Sequence, residues 1–168
     1  PYVLSSFNDN ENEYNFGADA RYGVSSSAVL NATINPDFGQ VEADPSVLNL
    51  SAYETFYDEK RPFFSEGANF FQNRLQLFHS RRIGKAPGYF SPDSGDLENI
   101  PGNTTILGAF KLMGTTHSGI NYGIINATTD EELGSLVNAN GQVEDFIVEP
   151  QTNYAVGRFE KSIINKFS

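Results

Sequence analysis

Four consecutive charged residues, followed by a proline and two phenylalanines, form the string DEKRPFF at positions 58–64. Two carboxylates beside an ammonium and a guanidinium can pair with one another, and a buried charge without a partner is strongly destabilising. This segment is either a plug that folds into a lumen and meets wall charges, or a structural anchor with packed rings and paired charges. We favour the anchor. Its residues are Asp58, Glu59, Lys60, Arg61, Phe63 and Phe64.

The acidic residues that lie just before and within this region could bind Ca²⁺, which takes six to eight oxygen ligands. The candidates are Asp37, Glu42 and Asp44, together with Asp58 and Glu59. Their spacing differs from the D-x-D-x-D-G pattern of a calcium loop. A solvated or salt-bridged loop is therefore the favoured interpretation, and we expect no other cofactor.

Other catalytic and ligand-binding patterns are missing from the sequence. His79 and His117 are the two histidines and there is no cysteine, whereas a zinc site draws three or four ligands from such residues. There is neither a G-x-S-x-G elbow nor a phosphate-binding glycine loop. A small basic group could contact lipid phosphates or line an anion-selective pore, although balancing nearby acids is the commoner role. It comprises Arg74, Arg81, Arg82 and Lys85.

Residues 13–24, EYNFGADARYGV, alternate between two kinds of side chain without a break. In a strand, successive side chains point to opposite faces, so this segment has one apolar face with aromatic ends and one charged face. Its length matches the nine to eleven residues, roughly, that cross a bilayer as a tilted strand. We therefore predict lipid-facing Tyr14, Phe16 and Tyr22, and lumen-facing Asp19, Arg21 and, from a later strand, Lys111.

The rest of the chain also favours strands and turns. Residues 1–12 are polar and are expected to be a poorly ordered lead-in. Further strands are predicted at 28–35, 71–83, 105–113, 119–127 and 153–161. A folded insertion that begins with a short helix after Asp44 is predicted at 36–69, and loops are predicted at 84–103 and 128–150.

Composition excludes some function classes. The net charge of −10 argues against nucleic acid, because phosphate binding needs a basic surface. No apolar run approaches the roughly 18 residues of a spanning helix, so a membrane would be crossed by strands. The first residue is Pro rather than Met, and we expect a mature product or a piece of a longer precursor.

The segment at 34–67, INPDFGQVEADPSVLNLSAYETFYDEKRPFFSEG, is distinctive. Together with LFHSRRIG, ILGAFKL and VEPQTNYAVGRFEK, it resembles a family of large bacterial proteins that are often labelled carbohydrate-binding family nine domain-containing. The resemblance implies an upstream sugar-binding-like sandwich domain, followed by an outer-membrane β-barrel of unknown function. It places this chain at the start of the barrel.

The sequence therefore predicts an all-β, antiparallel portion of an outer-membrane β-barrel, with five or six strands of a larger barrel at 13–168. We expect a non-enzymatic channel, uptake or export component, or surface scaffold in the bacterial outer membrane. Its partners would be lipid, the remaining strands of the same protein or other envelope proteins, and a glycan. One alternative is a soluble carbohydrate-binding or interaction β-sandwich, because half-buried sheets also alternate. A carbohydrate-active hydrolase ranks third.

Overall fold

A computed structural model describes residues 2–8, 11–36, 58–72, 77–88, 96–137 and 142–161. At 2–8, 11–16, 96–98 and 137 the description covers the backbone only. The strands in this part of the chain are β1 (Tyr2–Asn8), β2 (Glu11–Ser25), β3 (Ala28–Ile34), β4 (Asp96–Glu98), β5 (Ile106–Thr115), β6 (Ile120–Thr129), β7 (Glu132–Val137), β8 (Val143–Glu149) and β9 (Thr152–Lys161).

Helical structure is confined to three short pieces in the same described ranges. They are α1 (Pro62–Ser65) and two 3-10 helices, Ala68–Phe70 and Ser80–Arg82. Among these residues, no helix has the length and apolar character needed to cross a membrane.

The strands form two antiparallel sheets. The larger has six strands in the order β1-β2-β3-β5-β6-β9, and the smaller has three in the order β4-β7-β8. All neighbouring pairs are antiparallel. The predicted all-β, antiparallel class is therefore confirmed. The described strands do not close on themselves, since β1 and β9 stand at opposite ends of the large sheet.

Two predicted hairpins are confirmed. The first joins β2 to β3 through a tight turn at Ser26 and Ser27, and the second joins β5 to β6 through residues 116–119. In the second turn Gly119 has φ +75°, a left-handed conformation that glycine adopts without steric cost. The predicted strand at 153–161 is confirmed as β9.

Other predictions of secondary structure were wrong. The lead-in expected at 1–12 contains β1, which pairs with the first half of β2. The loop expected at 84–103 contains β4, and the loop expected at 128–150 contains β7 and β8. Strands β7 and β8 continue the β6–β9 pair past a break, and the acidic residues Glu144 and Asp145 of β8 are exposed to solvent.

The strand predicted at 71–83 is absent from the described part of that range. Phe71 and Gln72 both donate backbone hydrogen bonds to the carbonyl of Ala68, and residues 80–82 form a 3-10 helix. The apolar residues of this range pack in another way. The rings of Phe71 and Phe78 pack together, with centroids 6.1 Å apart, because the chain folds back on itself.

The two faces of the large sheet differ in chemistry. We call the face that carries Asn31, Thr33 and Lys111 the inner face, and all three residues are buried there. The opposite, outer face carries large apolar side chains that are open to solvent, with Tyr22 67% and Phe159 68% exposed. No described element covers those side chains.

Residues 58–72, which we call the strap, lie across the inner face, and residues 77–88, the return loop, lead back toward β5. The apolar core lies between these two segments and strands β5 and β6. It consists of Phe64, Phe71, Ile83, Ile106, Ala109, Met113, Ile125 and Ala127. The strap is thus held against the β5–β6 side of the sheet by ordinary apolar packing.

Candidate functional site

The charged residues predicted to face a lumen do lie on the inner face. Arg21 and Asp19 are on β2, opposite Asn31 and Thr33 of β3. Lys111 lies on β5, also opposite Asn31. Tyr22 projects from the outer face, since it follows Arg21 directly in the strand.

Several other predicted residues carry no structural test. The calcium candidates Asp37, Glu42 and Asp44 lie outside the described residues, as do the side chains of Tyr14 and Phe16. Within the described ranges, no group of three or more His, Cys, Asp and Glu side chains is arranged to hold a metal ion.

Arg61 connects the strap to the return loop. Its guanidinium donates two hydrogen bonds to the Glu59 carboxylate, at 2.8 and 2.7 Å, and one each to the backbone carbonyls of Ile83 and Ser80. The guanidinium also lies 4.2 Å from the centroid of the Phe64 ring. The planar fork of arginine suits such a site, because it can satisfy a carboxylate and two carbonyls at once.

Glu59 receives enough hydrogen bonds to remain charged in this partly buried position. Burial by itself raises the pKa of Glu59. The hydrogen bonds and charge of Arg61, together with a hydrogen bond from the Ser80 hydroxyl, lower it by more. The pKa of Glu59 therefore lies below its usual 4.5.

Lys111 is a fully buried cation, with 0% of its surface exposed. Its ammonium donates to the backbone carbonyls of Phe63 and Glu66, and it lies 5.0 Å from the centroid of the Phe63 ring. The carbonyls near the end of α1 therefore solvate a charge that the sheet supplies, and the strap covers that charge.

Glu66 links the strap to β2 and β3. One carboxylate oxygen lies 2.6 Å from the Arg21 guanidinium, and the other accepts a 3.0 Å hydrogen bond from the Asn31 amide. At the far side of the sheet, Arg158 of β9 donates to the carbonyls of Asn69 and Phe70 at 3.2 and 3.3 Å. Cations of three strands thus bind the strap.

Two glycines show how closely the strap lies on the wall. Gly67 has φ +67°, and a Cβ there would collide with the Met113 side chain of β5. On β6, a Cβ at Gly123 would lie 3.1 Å from both Cβ and the carbonyl oxygen of Phe70. The absence of side chains at these points allows the backbones to approach.

The structure brings together only part of the segment at 58–64. Glu59, Arg61 and Phe64 lie inward and Phe63 is half-buried, whereas Asp58 and Lys60 are exposed. Of the predicted basic group, Arg81 and Arg82 lie in the return-loop 3-10 helix, and Arg74 lies outside the described residues. His117 is exposed in the turn after β5, and His79 is half-buried in the return loop.

Sequence reasoning missed four residues of this site: Asn31, Glu66, Ser80 and Arg158. Asn31 and Arg158 could have been found, because each is a polar residue at an inner-face position of an alternating strand. Glu66 and Ser80 carry no such signal, since their positions depend on how the strap folds.

Both apolar and polar contacts fix the strap to the inner face. Apolar packing holds the strap on β5 and β6, and ion pairs and hydrogen bonds hold it on β2, β3, β5 and β9. Such a surface presents charged and hydrogen-bonding groups, and Arg61 and Ser80 occupy the Glu59 carboxylate.

Comparison with known proteins gives one finding. The whole chain, residues 1–168, matches a protein-family model described as "Domain of unknown function (DUF5916)". No curated protein and no solved structure matches it.

Proposed function

This chain belongs to the DUF5916 family, a domain of unknown function, and we propose that it forms part of the wall of an outer-membrane β-barrel, with the strap lying in the lumen as a plug. The role is non-enzymatic: the wall and plug serve a channel, an uptake or export component, or a surface scaffold. The single observation that carries this proposal is the contrast between the two faces of the large sheet.

The outer face supports contact with lipid. Its exposed side chains include Tyr22, Phe110 and Phe159, and no described element covers them. Asn126, Thr128 and Asn153 lie on the same face and hydrogen-bond to one another. One row consists of Tyr22, Leu30, Leu112, Ile124 and Gly157. Apolar side chains exposed side by side on one face of a sheet would be a liability in water, whereas barrel strands carry an outward apolar band about 25 Å tall.

The inner face supports a polar lumen. Asn31, Thr33 and Lys111 are buried there, and Asp19 and Arg21 share that side of the sheet. Barrels alternate in this way, with apolar residues outward and polar residues inward. The strap faces these polar residues over β2 and β3 and packs on the apolar core over β5 and β6, whereas the outer face stays open.

The connections between strands support the same interpretation. The β2–β3 and β5–β6 turns are short and lie at the same end of the sheet. At the other end, the chain leaves the sheet after Ile34 and returns only at Ile106, and β7 and β8 extend past β6 and β9. β1 also joins β2 at this second end, so the division is partial. A rim of short turns opposite a rim of long excursions is typical of outer-membrane barrels.

The test is fractionation of the intact protein expressed in a bacterium with an outer membrane. We expect it in the outer-membrane pellet after carbonate washing, with release only by detergent. Recovery as monodisperse protein in a detergent-free supernatant would contradict the proposal. That outcome would favour the alternative function, a soluble carbohydrate-binding or interaction module, for which the open sheet edges would require a further layer or strand.

The remaining proposals rest on the resemblance described above. They are a glycan partner, an upstream sugar-binding-like domain, and barrel completion by further strands or other envelope proteins. A hydrolase is the least favoured, because Arg61 and Ser80 occupy the Glu59 carboxylate.

A further inference from the structure

One row of the inner face carries three polar side chains from three neighbouring strands. Arg21 of β2 is the direct partner of Asn31 of β3, which in turn is the direct partner of Lys111 of β5. Cβ atoms of such partners lie about 4.5–5.5 Å apart. The Arg21 guanidinium and the Asn31 amide therefore lie within reach of one ligand, while the Lys111 ammonium beside them donates to carbonyls of the strap. We call these residues the cationic row.

A carboxylate already lies on this row. Glu66 of the strap places one oxygen 2.6 Å from the Arg21 guanidinium and accepts a 3.0 Å hydrogen bond from Asn31 on the other. The Lys111 ammonium donates to the backbone carbonyl of the same residue. Glu66 thus contacts the cationic row through its side-chain carboxylate and also through its backbone carbonyl oxygen.

The row can bind more than Glu66 provides. Within the described part of the chain, Asn31 Oδ1 and Thr33 Oγ1 are buried and have no hydrogen-bond partner. Asn31 is only 5% exposed and Thr33 only 2%. A buried polar atom without a partner costs about 1–3 kcal/mol, so native proteins keep few of them. Both atoms can accept a hydrogen bond from a hydroxyl group.

The pair that holds the carboxylate is open to solvent. The side chain of Arg21 is 65% exposed and that of Glu66 is 42% exposed. A solute can therefore reach the guanidinium without unfolding the sheet. Displacement of Glu66 would leave the strap docked, since the apolar core on β5 and β6 does not include it.

We propose that Arg21, Asn31 and Thr33 form a binding site for a hydroxylated carboxylate, the class to which sugar acids belong, and that Glu66 occupies this site as an internal stand-in for the ligand. The solute carboxylate takes the place of Glu66 on Arg21 and Asn31. Its hydroxyl groups donate to the free oxygens of Asn31 and Thr33. The inference rests on the proposed function only in placing the site inside a lumen.

The experiment measures binding of glucuronate, glucose and inorganic phosphate to the intact protein by calorimetry, at constant ionic strength. Glu66→Ala removes the internal competitor, and Glu131→Ala, at an exposed glutamate outside the site, is the matched control. We expect E66A to bind glucuronate about tenfold more tightly than wild type or E131A, the equivalent of one charged hydrogen bond. Glucose and phosphate should bind weakly or not at all.

Adding Arg21→Met to E66A should abolish the gain. If E66A does not fold, Glu66→Gln, which keeps the shape and loses the charge, carries the same comparison. Equal affinities in wild type and E66A would overturn the proposal, as would phosphate binding as tight as that of glucuronate. Binding can be measured whether the protein is recovered from the membrane or from the soluble fraction. If the soluble protein binds glucuronate as expected, only the membrane function is refuted.

Discussion

The Arg61 guanidinium holds the Glu59 carboxylate through two parallel N–H bonds of 2.8 and 2.7 Å, although the residues stand only two positions apart. The side chains are 5% and 14% exposed, so this ion pair is largely removed from water. The same guanidinium binds carbonyls of Ser80 and Ile83. The pair therefore fixes the strap to the return loop.

Replacing Arg61 should open this connection. Arg61→Met leaves a buried carboxylate and two carbonyls without their donor, and removing one partner of a buried pair typically costs about 3–5 kcal/mol. Hydrogen exchange should show faster opening of amides at 59–66 and 77–85. The double variant E59Q/R61M should lose less than the sum of the single variants; equal protection in R61M and wild type would refute this role.

Acid should weaken the strap through Glu59. Because the folded state lowers the pKa of Glu59 below 4.5, its stabilising effect is complete above that pH and is lost as the pH falls through the folded pKa. Thermal unfolding followed by circular dichroism between pH 7 and pH 3 should show this loss only below about pH 4.5. In Glu59→Gln that part of the pH dependence should vanish. A loss centred above this range would contradict the assignment.

Two glycines in one row allow a matched test of strap packing. Gly23 and Gly123 both lie on the inner face, but an added Cβ meets nothing within 4 Å at Gly23 and meets Phe70 at 3.1 Å at Gly123. Gly123→Ala should destabilise strap docking by about 1–3 kcal/mol, the usual cost of overpacking. Gly23→Ala should change the free energy of unfolding by less than about 0.5 kcal/mol. Similar effects in both variants would argue against close contact.

Arginine on the outer face should impair membrane assembly in proportion to its depth. Phe110→Arg lies in the middle of β5, where the cost is about 2–4 kcal/mol, and Phe159→Arg lies near a strand end, where it is about 0–1 kcal/mol. The yield of heat-modifiable, folded protein in outer membranes should fall most for F110R. Asp19→Ser, on the inner face, is the control. Equal yields for all three variants would contradict the lipid-facing assignment.

The alternating strands could be predicted from the sequence because each face of a strand meets one kind of surroundings. Tyr22 and Arg21 are neighbours that point to opposite sides, and this alternation predicted β2, β3, β5, β6 and β9. The same rule was wrong for 71–83, where Phe71 and Phe78 would point to opposite faces of a strand but instead pack ring against ring. Period two identifies a strand only where a neighbouring strand is available to pair with it.

The strap contacts could not be predicted because they depend on tertiary position. Nothing near Glu66 in sequence indicates that it meets Arg21 and Asn31, which precede it by more than thirty residues. The charged neighbours of Arg61 predict that it forms an ion pair. They do not predict that it also donates to the carbonyls of Ser80 and Ile83. The alternating pattern predicts which strand residues lie on the inner face. Which strap residues they contact depends on how the insertion folds.

The most direct test asks what the Phe110 side chain touches. The chain contains no tryptophan, so Phe110→Trp and the inner-face control Asp19→Trp each provide a single fluorophore. Both should be reconstituted in vesicles whose acyl chains carry bromine, which quenches tryptophan on contact. We predict strong quenching for F110W and little for D19W. An F110W signal that bromine leaves unchanged would contradict the claim that the outer face lies in lipid.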